Sequence, residues 1–152
     1  LTKNTLNLME LGTDALNSLF SGAAFLSIHA IINADTFSDD NNSGFNRVFS
    51  QFIATGNVNG LFLAICDVDN TGIKVRVGGR SKSADAVQAV SGTTVVSTGS
   101  TVSVGGVLDF AGDLIRVYYE GAQEASTAVT FGNTTYTADG TPNQSDRKYD
   151  FG

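Results

Sequence analysis

The chain has 152 residues, 41% of them hydrophobic and only 16% charged, with 17 Gly and a single Pro, Pro142. That length suits one domain around one core, and a composition rich in small, uncharged and β-branched residues suits short strands joined by Gly and Asn turns. A net charge of −6, with the Lys and Arg scattered, argues against a nucleic acid or an anionic membrane surface as partner; no apolar run nears the roughly 20 residues of a membrane span.

Residues 1–22 read as a strand over 5–10 and a short helical turn over 15–20, capped by Thr13-Asp14. Leu6, Met9, Leu16, Leu19 and Phe20 give only a weak 3.6-residue pattern, which Gly12 breaks. The main domain is expected over residues 23–152, with at most that one short helix before it. From Phe25 the period becomes two: Leu26, Ile28, Ala30 and Ile32 share one face, Ser27 and His29 the other. Residues 35–44 read as a polar loop and 47–53 as a strand. Gly56-Asn57-Val58-Asn59-Gly60 reads as a turn. Residues 61–66 are apolar throughout, as a central strand requires, and Cys66 within them reads as a buried small hydrophobe.

Asp67-Val68-Asp69-Asn70-Thr71-Gly72 is a hairpin turn. Ile73, Val75 and Val77 then point inward, Lys74 and Arg76 outward. Residues 78–85 read as a loop or bulged edge, 86–90 and 93–97 as weaker strands. Two strong strands, 101–110 and 114–120, flank the turn at Asp109-Phe110-Ala111-Gly112-Asp113. Glu120-Gly121-Ala122-Gln123 is a tight turn, and residues 128–131, 134–137 and 148–151 complete the set. About ten short strands with little helix predict an all-β antiparallel β-sandwich.

The order of these hairpins resembles the concanavalin A/laminin-G-like jelly roll. Phe25-Leu26-Ser27-Ile28-His29-Ala30-Ile31-Ile32-Asn33 is similar to that family's early strand, and Arg47-Val48-Phe49-Ser50 to the next. The hairpin from Asn59-Gly60-Leu61 to Val75 follows. Val104-Gly105-Gly106-Val107-Leu108-Asp109 with Leu114-Ile115-Arg116-Val117-Tyr118-Tyr119-Glu120-Gly121 gives the nearest match. Two departures stand out. Gly99-Ser100-Thr101-Val102-Ser103 occupies the place of the family's Trp-His pair, and the family's last strands would fall beyond Gly152. The end at Tyr149-Asp150-Phe151-Gly152 therefore reads as that of the ordered part of a longer protein, with a neighbouring subunit expected to cover the sheet edge. Gly79-Arg80-Ser81, Ser83-Ala84-Asp85 and Leu108-Asp109-Phe110-Ala111-Gly112-Asp113-Leu114 look like the bacteriophage and prophage virion members of this family, which implies a jelly roll on the virion surface.

The residues lack an enzyme's constellation. A glycosidase needs two flanking carboxylates, and Glu10, Glu120 and Glu124, the only Glu, do not fall in the Glu-x-Asp-x-x-Glu spacing of the related glucanases. His29 is the only His, no Gly-x-Ser-x-Gly elbow occurs, and one Cys with one His cannot build a zinc site. Calcium is the one cofactor in view: Asp67, Asp69 and Asn70 imitate the first half of a calcium loop, although Gly78 stands where its closing Glu belongs. Asp35, Asp39, Asp40 and Asn41 form a second oxygen-rich loop. An Asx turn is the plainer account of the first.

The expected function is non-enzymatic: a capsid decoration, head-fibre or tail-associated protein in contact with other virion subunits and with copies of itself. Candidate contacts are Leu1, Leu6 and Leu8 at the N-terminus, Tyr149 and Phe151 at the C-terminus, and a small basic surface of Arg76 and Arg80 with Lys82. The alternative is a carbohydrate-binding, lectin-like adhesion domain. Tyr118, Tyr136, Asn41 and Asn57 would then meet a glycan, without the Trp that stacks best on sugars.

Overall fold

The computed structural model describes residues 20–33, 46–52, 58–82, 84–137 and 149–151. These residues form nine strands: β1 (Phe25–Asn33), β2 (Asn46–Phe52), β3 (Val58–Cys66), β4 (Lys74–Arg80), β5 (Gln88–Val95), β6 (Thr101–Asp109), β7 (Leu114–Tyr119), β8 (Ala122–Ala128) and β9 (Tyr149–Phe151). Sheet A has the order β1-β6-β7-β8, sheet B the order β5-β4-β3-β2-β9. Every pairing is antiparallel, and the two sheets face each other across one core. The protein is the all-β antiparallel sandwich its alternation predicts.

Side-chain parity builds the core. A strand turns successive residues to opposite faces, so Leu26 of β1, Val102, Val104 and Leu108 of β6, and Ile115 and Val117 of β7 point from sheet A toward sheet B. Leu61, Leu63 and Ile65 of β3 and Val75 and Val77 of β4 meet them. Two glycines let the sheets close. A Cβ on Gly106 would stand 2.3 Å from Val77 Cγ2, and one on Gly79 would stand 2.6 Å from Leu108 Cδ1. Each glycine thus receives a branched side chain from the opposite sheet. One end of the sandwich is plugged by aromatics: Phe110 packs edge-on to Phe131 at a centroid distance of 4.9 Å and lies nearly parallel to Tyr136 at 6.3 Å.

The structure redraws four boundaries. Val58-Asn59-Gly60, read as a turn, opens β3, and Gly78-Gly79-Arg80, read as a loop or bulged edge, ends β4. Gly60 pairs with Arg80 and Leu61 with Gly79, and a Cβ on Gly79 would lie 1.6 Å from the Gly60 carbonyl oxygen. These glycines mark close strand approach rather than a break. Residues 86–90 and 93–97 are not separate strands; β5 runs through both regions with a bulge. Lys74 pairs with Val95 and Arg76 with Ser91, so β5 spans more residues than β4 over the same step. Finally, β8 occupies residues 122–128, whereas residues 129–137, expected to carry strands, have none. Glu120 (φ 49°) and Gly121 (φ 76°) form a two-residue turn with both central residues left-handed, which returns the chain directly onto β7. β8 is mostly exposed, so main-chain pairing fixes it without an apolar alternation. The segment expected at residues 1–22 lies outside the described residues as far as residue 19; Phe20 is helical.

Candidate functional site

Among the described residues, the outer face of sheet A is more open than that of sheet B. Cross-strand register sets His29 of β1 beside Gly105 of β6, Gly105 beside Tyr118 of β7, and Tyr118 beside Gln123 of β8. Because Gly105 has no side chain, a shallow depression of about 210 Å³ opens between the two rings, lined by Ser27, His29, Gly105, Val107 and Tyr118. Its walls are tethered. His29 Nε2 and Ser103 Oγ share a 2.7 Å hydrogen bond, and the Tyr118 hydroxyl donates to Gln123 Oε1 at 3.4 Å. Beside this row, Arg116 Nη1 donates to Asp109 Oδ2 at 3.1 Å. Toward the edge, Phe25 and Ile31 on β1 are 63% and 74% exposed.

The carboxylates have a common use. Asp67 Oδ2 accepts from the Gly72 amide, Asp69 Oδ1 from Thr71, Asp85 Oδ2 from Gly132, Asp109 Oδ1 from Gly112, and Asp113 Oδ1 from Phe131. Glu120 Oε1 accepts from the Ser103 amide at 2.6 Å. Glu124 Oε2 accepts from both Thr93 and Thr94, at 3.1 and 3.2 Å, and so holds the β5 bulge from sheet A. These are all the Asp and Glu whose side chains the structure describes, and each caps main-chain amides. Sequence reading recognised the Asp67–Gly72 and Asp109–Asp113 turns. It missed Asp85, Glu120 and Glu124 as caps, because their partners are distant in sequence.

The expected half of a calcium loop, Asp67, Asp69 and Asn70, forms a hydrogen-bonded turn. Asp69 Oδ1 is engaged by the Thr71 amide and hydroxyl, and the Lys74 ammonium stands 3.5 Å from Asp69 Oδ2. The Thr71 hydroxyl, ahead of Lys74, holds the Asp69 carboxyl below its ordinary range. Asp69 Oδ1 and the Thr71 amide make an Asx turn, and Asn70 within it adopts φ 58°, the left-handed conformation that Asn tolerates. Among the described residues no three Asp, Glu, His or Cys side chains converge as a metal site. The second calcium candidate, Asp35, Asp39, Asp40 and Asn41, lies outside the described residues, as do Leu1, Leu6, Leu8 and Asn57.

The basic surface needs correction. Even-numbered residues of β4 share the outer face of sheet B with Phe62, Ala64 and Cys66, which are buried. Arg80 is accordingly only 6% exposed, and its Nη1 donates to the Asp85 carbonyl at 3.2 Å. Arg76 and Lys82 are half-buried. Tyr136, expected at a glycan surface, is 1% exposed and belongs to the core. Tyr149 and Phe151 lie in β9, at the edge of sheet B. Burial pushes the Cys66 thiol up to about 11, outweighing Arg76, so the thiol stays protonated and weakly nucleophilic. Compared with known proteins, the chain matches no family model and no curated protein sequence.

Proposed function

We propose that this chain is a non-enzymatic structural module of a bacteriophage particle surface, of the concanavalin A/laminin-G-like kind, that works through protein–protein contacts of its sandwich. The observation that carries the non-enzymatic part is the engagement of every described carboxylate with main-chain amides, which leaves these groups in structural roles. Exposed Phe25 and Ile31 on uncharged β1 support a role in contact with another protein. The test is to band particles from cultures of the source strain by density and probe them with antibody against this chain. The chain is expected in the particle band, with gold label at the particle surface. Recovery solely in the soluble fraction, or turnover of a polysaccharide panel by the purified chain, overturns the reading.

A second reading has its own observation. The His29–Gly105–Tyr118–Gln123 row joins a ring face, an amide and a glycine floor, the elements of a shallow pyranose site. On a glycan array this reading requires binding that Tyr118→Ala removes.

A further inference from the structure

The segment that leaves β4 and the segment that leaves β8 are held together by a frame of hydrogen bonds. The Thr137 amide donates to the Ser81 carbonyl at 2.8 Å, and the Asn133 amide donates to Ser81 Oγ at 2.9 Å. Ser81 Oγ donates in turn to Asp85 Oδ2 at 2.5 Å, and the same oxygen accepts from the Gly132 amide at 3.1 Å. A Cβ on Gly132 would lie 2.2 Å from Asp85 Oδ1, so a glycine there leaves the carboxylate its place. Ser81 is fully buried, and the Asp85 side chain is only 14% exposed.

Three chemically distinct groups converge on this frame. Half-buried Lys82 donates from Nζ to Asn133 Oδ1 at 3.4 Å and stands 3.8 Å from Asp85 Oδ1. Asn133 Nδ2 donates to Thr137 Oγ1 at 2.8 Å, which orients the carboxamide with its oxygen toward Lys82. The carboxamide carbon, Cγ, is one bond beyond that oxygen. Lys82 and Asn133 are 51 residues apart in the chain, so only the fold brings them together. Exchange of an amine into a carboxamide needs these parts: a nucleophile, an electrophilic carbon and a group that carries protons between the two nitrogens. Lys74, the other Lys among the described residues, contacts Thr71 and Asp69 instead.

We propose that this chain closes a covalent amide between Lys82 Nζ and Asn133 Cγ, a cross-link made by its own side chains with release of ammonia. Asp85 takes a proton from the Lys82 ammonium. The freed lone pair forms the Nζ–Cγ bond, and an electron pair of the C=O moves onto Oδ1. Asp85 returns its proton to Nδ2, the C=O re-forms, and the Cγ–Nδ2 bond breaks with its electron pair leaving on ammonia. The surplus proton on Nζ passes through Asp85 to that ammonia. An ammonium and a carboxamide thus become an amide and an ammonium ion, and no atom is oxidised or reduced. The fold supplies the rate by holding the reactants together, an effect that reaches about 10⁵–10⁸ M in effective concentration where orientation is good. The product ties the end of β4 in sheet B to the segment that follows β8 of sheet A. The inference goes beyond the contact-module reading and does not depend on it.

The experiment is the intact mass of the whole folded chain. The mass is expected to fall short of the sequence mass by one ammonia, and tryptic digestion should yield a branched peptide joining residues 82 and 133 in tandem mass spectrometry. Lys82→Arg and Asn133→Ala should each restore the full mass, with a far-ultraviolet circular dichroism spectrum like the wild type's. Asp85→Asn keeps an acceptor for Ser81 and Gly132 but cannot carry the proton; it should slow the mass loss by about 100-fold or more, so that chain harvested alongside the wild type is mostly at full mass. A wild-type chain at its full sequence mass overturns the proposal. So does a mass loss that persists in Lys82→Arg, as a cyclic imide at an Asn would give, because that imide leaves Lys82 free. An Asp85→Asn chain that reacts as completely as the wild type overturns the proton-carrying step.

Discussion

The outer faces of the two sheets behave differently. On sheet B, Phe62, Ala64 and Cys66 of β3 are buried although they point away from the core between the sheets. On sheet A, the equivalent outward positions carry Ser27, His29 and Tyr118, and end in exposed Ile31. β3 is therefore buried on both faces, whereas β1 is buried or half-buried on one face and exposed on the other. This is why residues 61–66 lack alternation and residues 25–33 show it cleanly. A binding surface belongs on the face whose side chains solvent can reach, so sheet A is the face to probe.

The contrast is easiest to break with an aromatic truncation on each face. Phe62→Ala should cost about 3–5 kcal/mol, as a core position does, whereas Tyr118→Ala should cost less than about 1 kcal/mol; urea denaturation of both variants checks this. Equal losses would mean that the two outer faces do not differ. Neighbouring glycines sharpen the same point within one strand. Gly106→Ala drives a methyl into Val77 and should lose about 1–3 kcal/mol. Gly105→Ala meets the Ile28 carbonyl at 3.0 Å on the open face and should lose less than about 1 kcal/mol in the same measurement.

Glu124→Ala tests the tie between the sheets. Loss of two charge-assisted bonds at a half-exposed site should cost about 1–2 kcal/mol, and amide exchange at Thr93 and Thr94 should accelerate while that of β3 holds. The smallest effect concerns acid. The Thr71 hydrogen bonds lower the Asp69 carboxyl from its ordinary value of 3.8. The folded state therefore holds this proton less tightly than the unfolded state. The stabilisation is complete above 3.8 and fades as pH falls through the lower folded value. Asp69→Asn should flatten that part of the acid limb in a thermal-melt series against pH, leaving neutral-pH stability nearly unchanged.

The polar chemistry of the surface was less legible than the strands. The sequence pattern marked Asp67, Asp69 and Asn70 as a turn as well as a calcium candidate, and the turn is what the fold makes of them. It placed His29 and Ser27 on one face. It did not place Tyr118 across Gly105 from His29, because that neighbourhood is a matter of register between strands 76 residues apart at Gly105 and His29. Arg80 and Tyr136 misled for a related reason: a polar or amphipathic residue declares its environment only once the strands around it are known.

The sequence pattern determined the antiparallel sandwich, the central position of β3, the shared apolar faces on β1 and β4, and the turns at Asp67–Gly72 and Asp109–Asp113. These follow from local geometry, since a strand has a period of two and a left-handed residue needs Gly or Asn. Tertiary structure alone decided that Gly78 and Gly79 continue a strand, that Glu124 closes a bulge in the opposite sheet, and that the outer face of β3 is dry. Each depends on what another segment brings to within a few ångströms, and close approach between distant segments leaves no period in the chain.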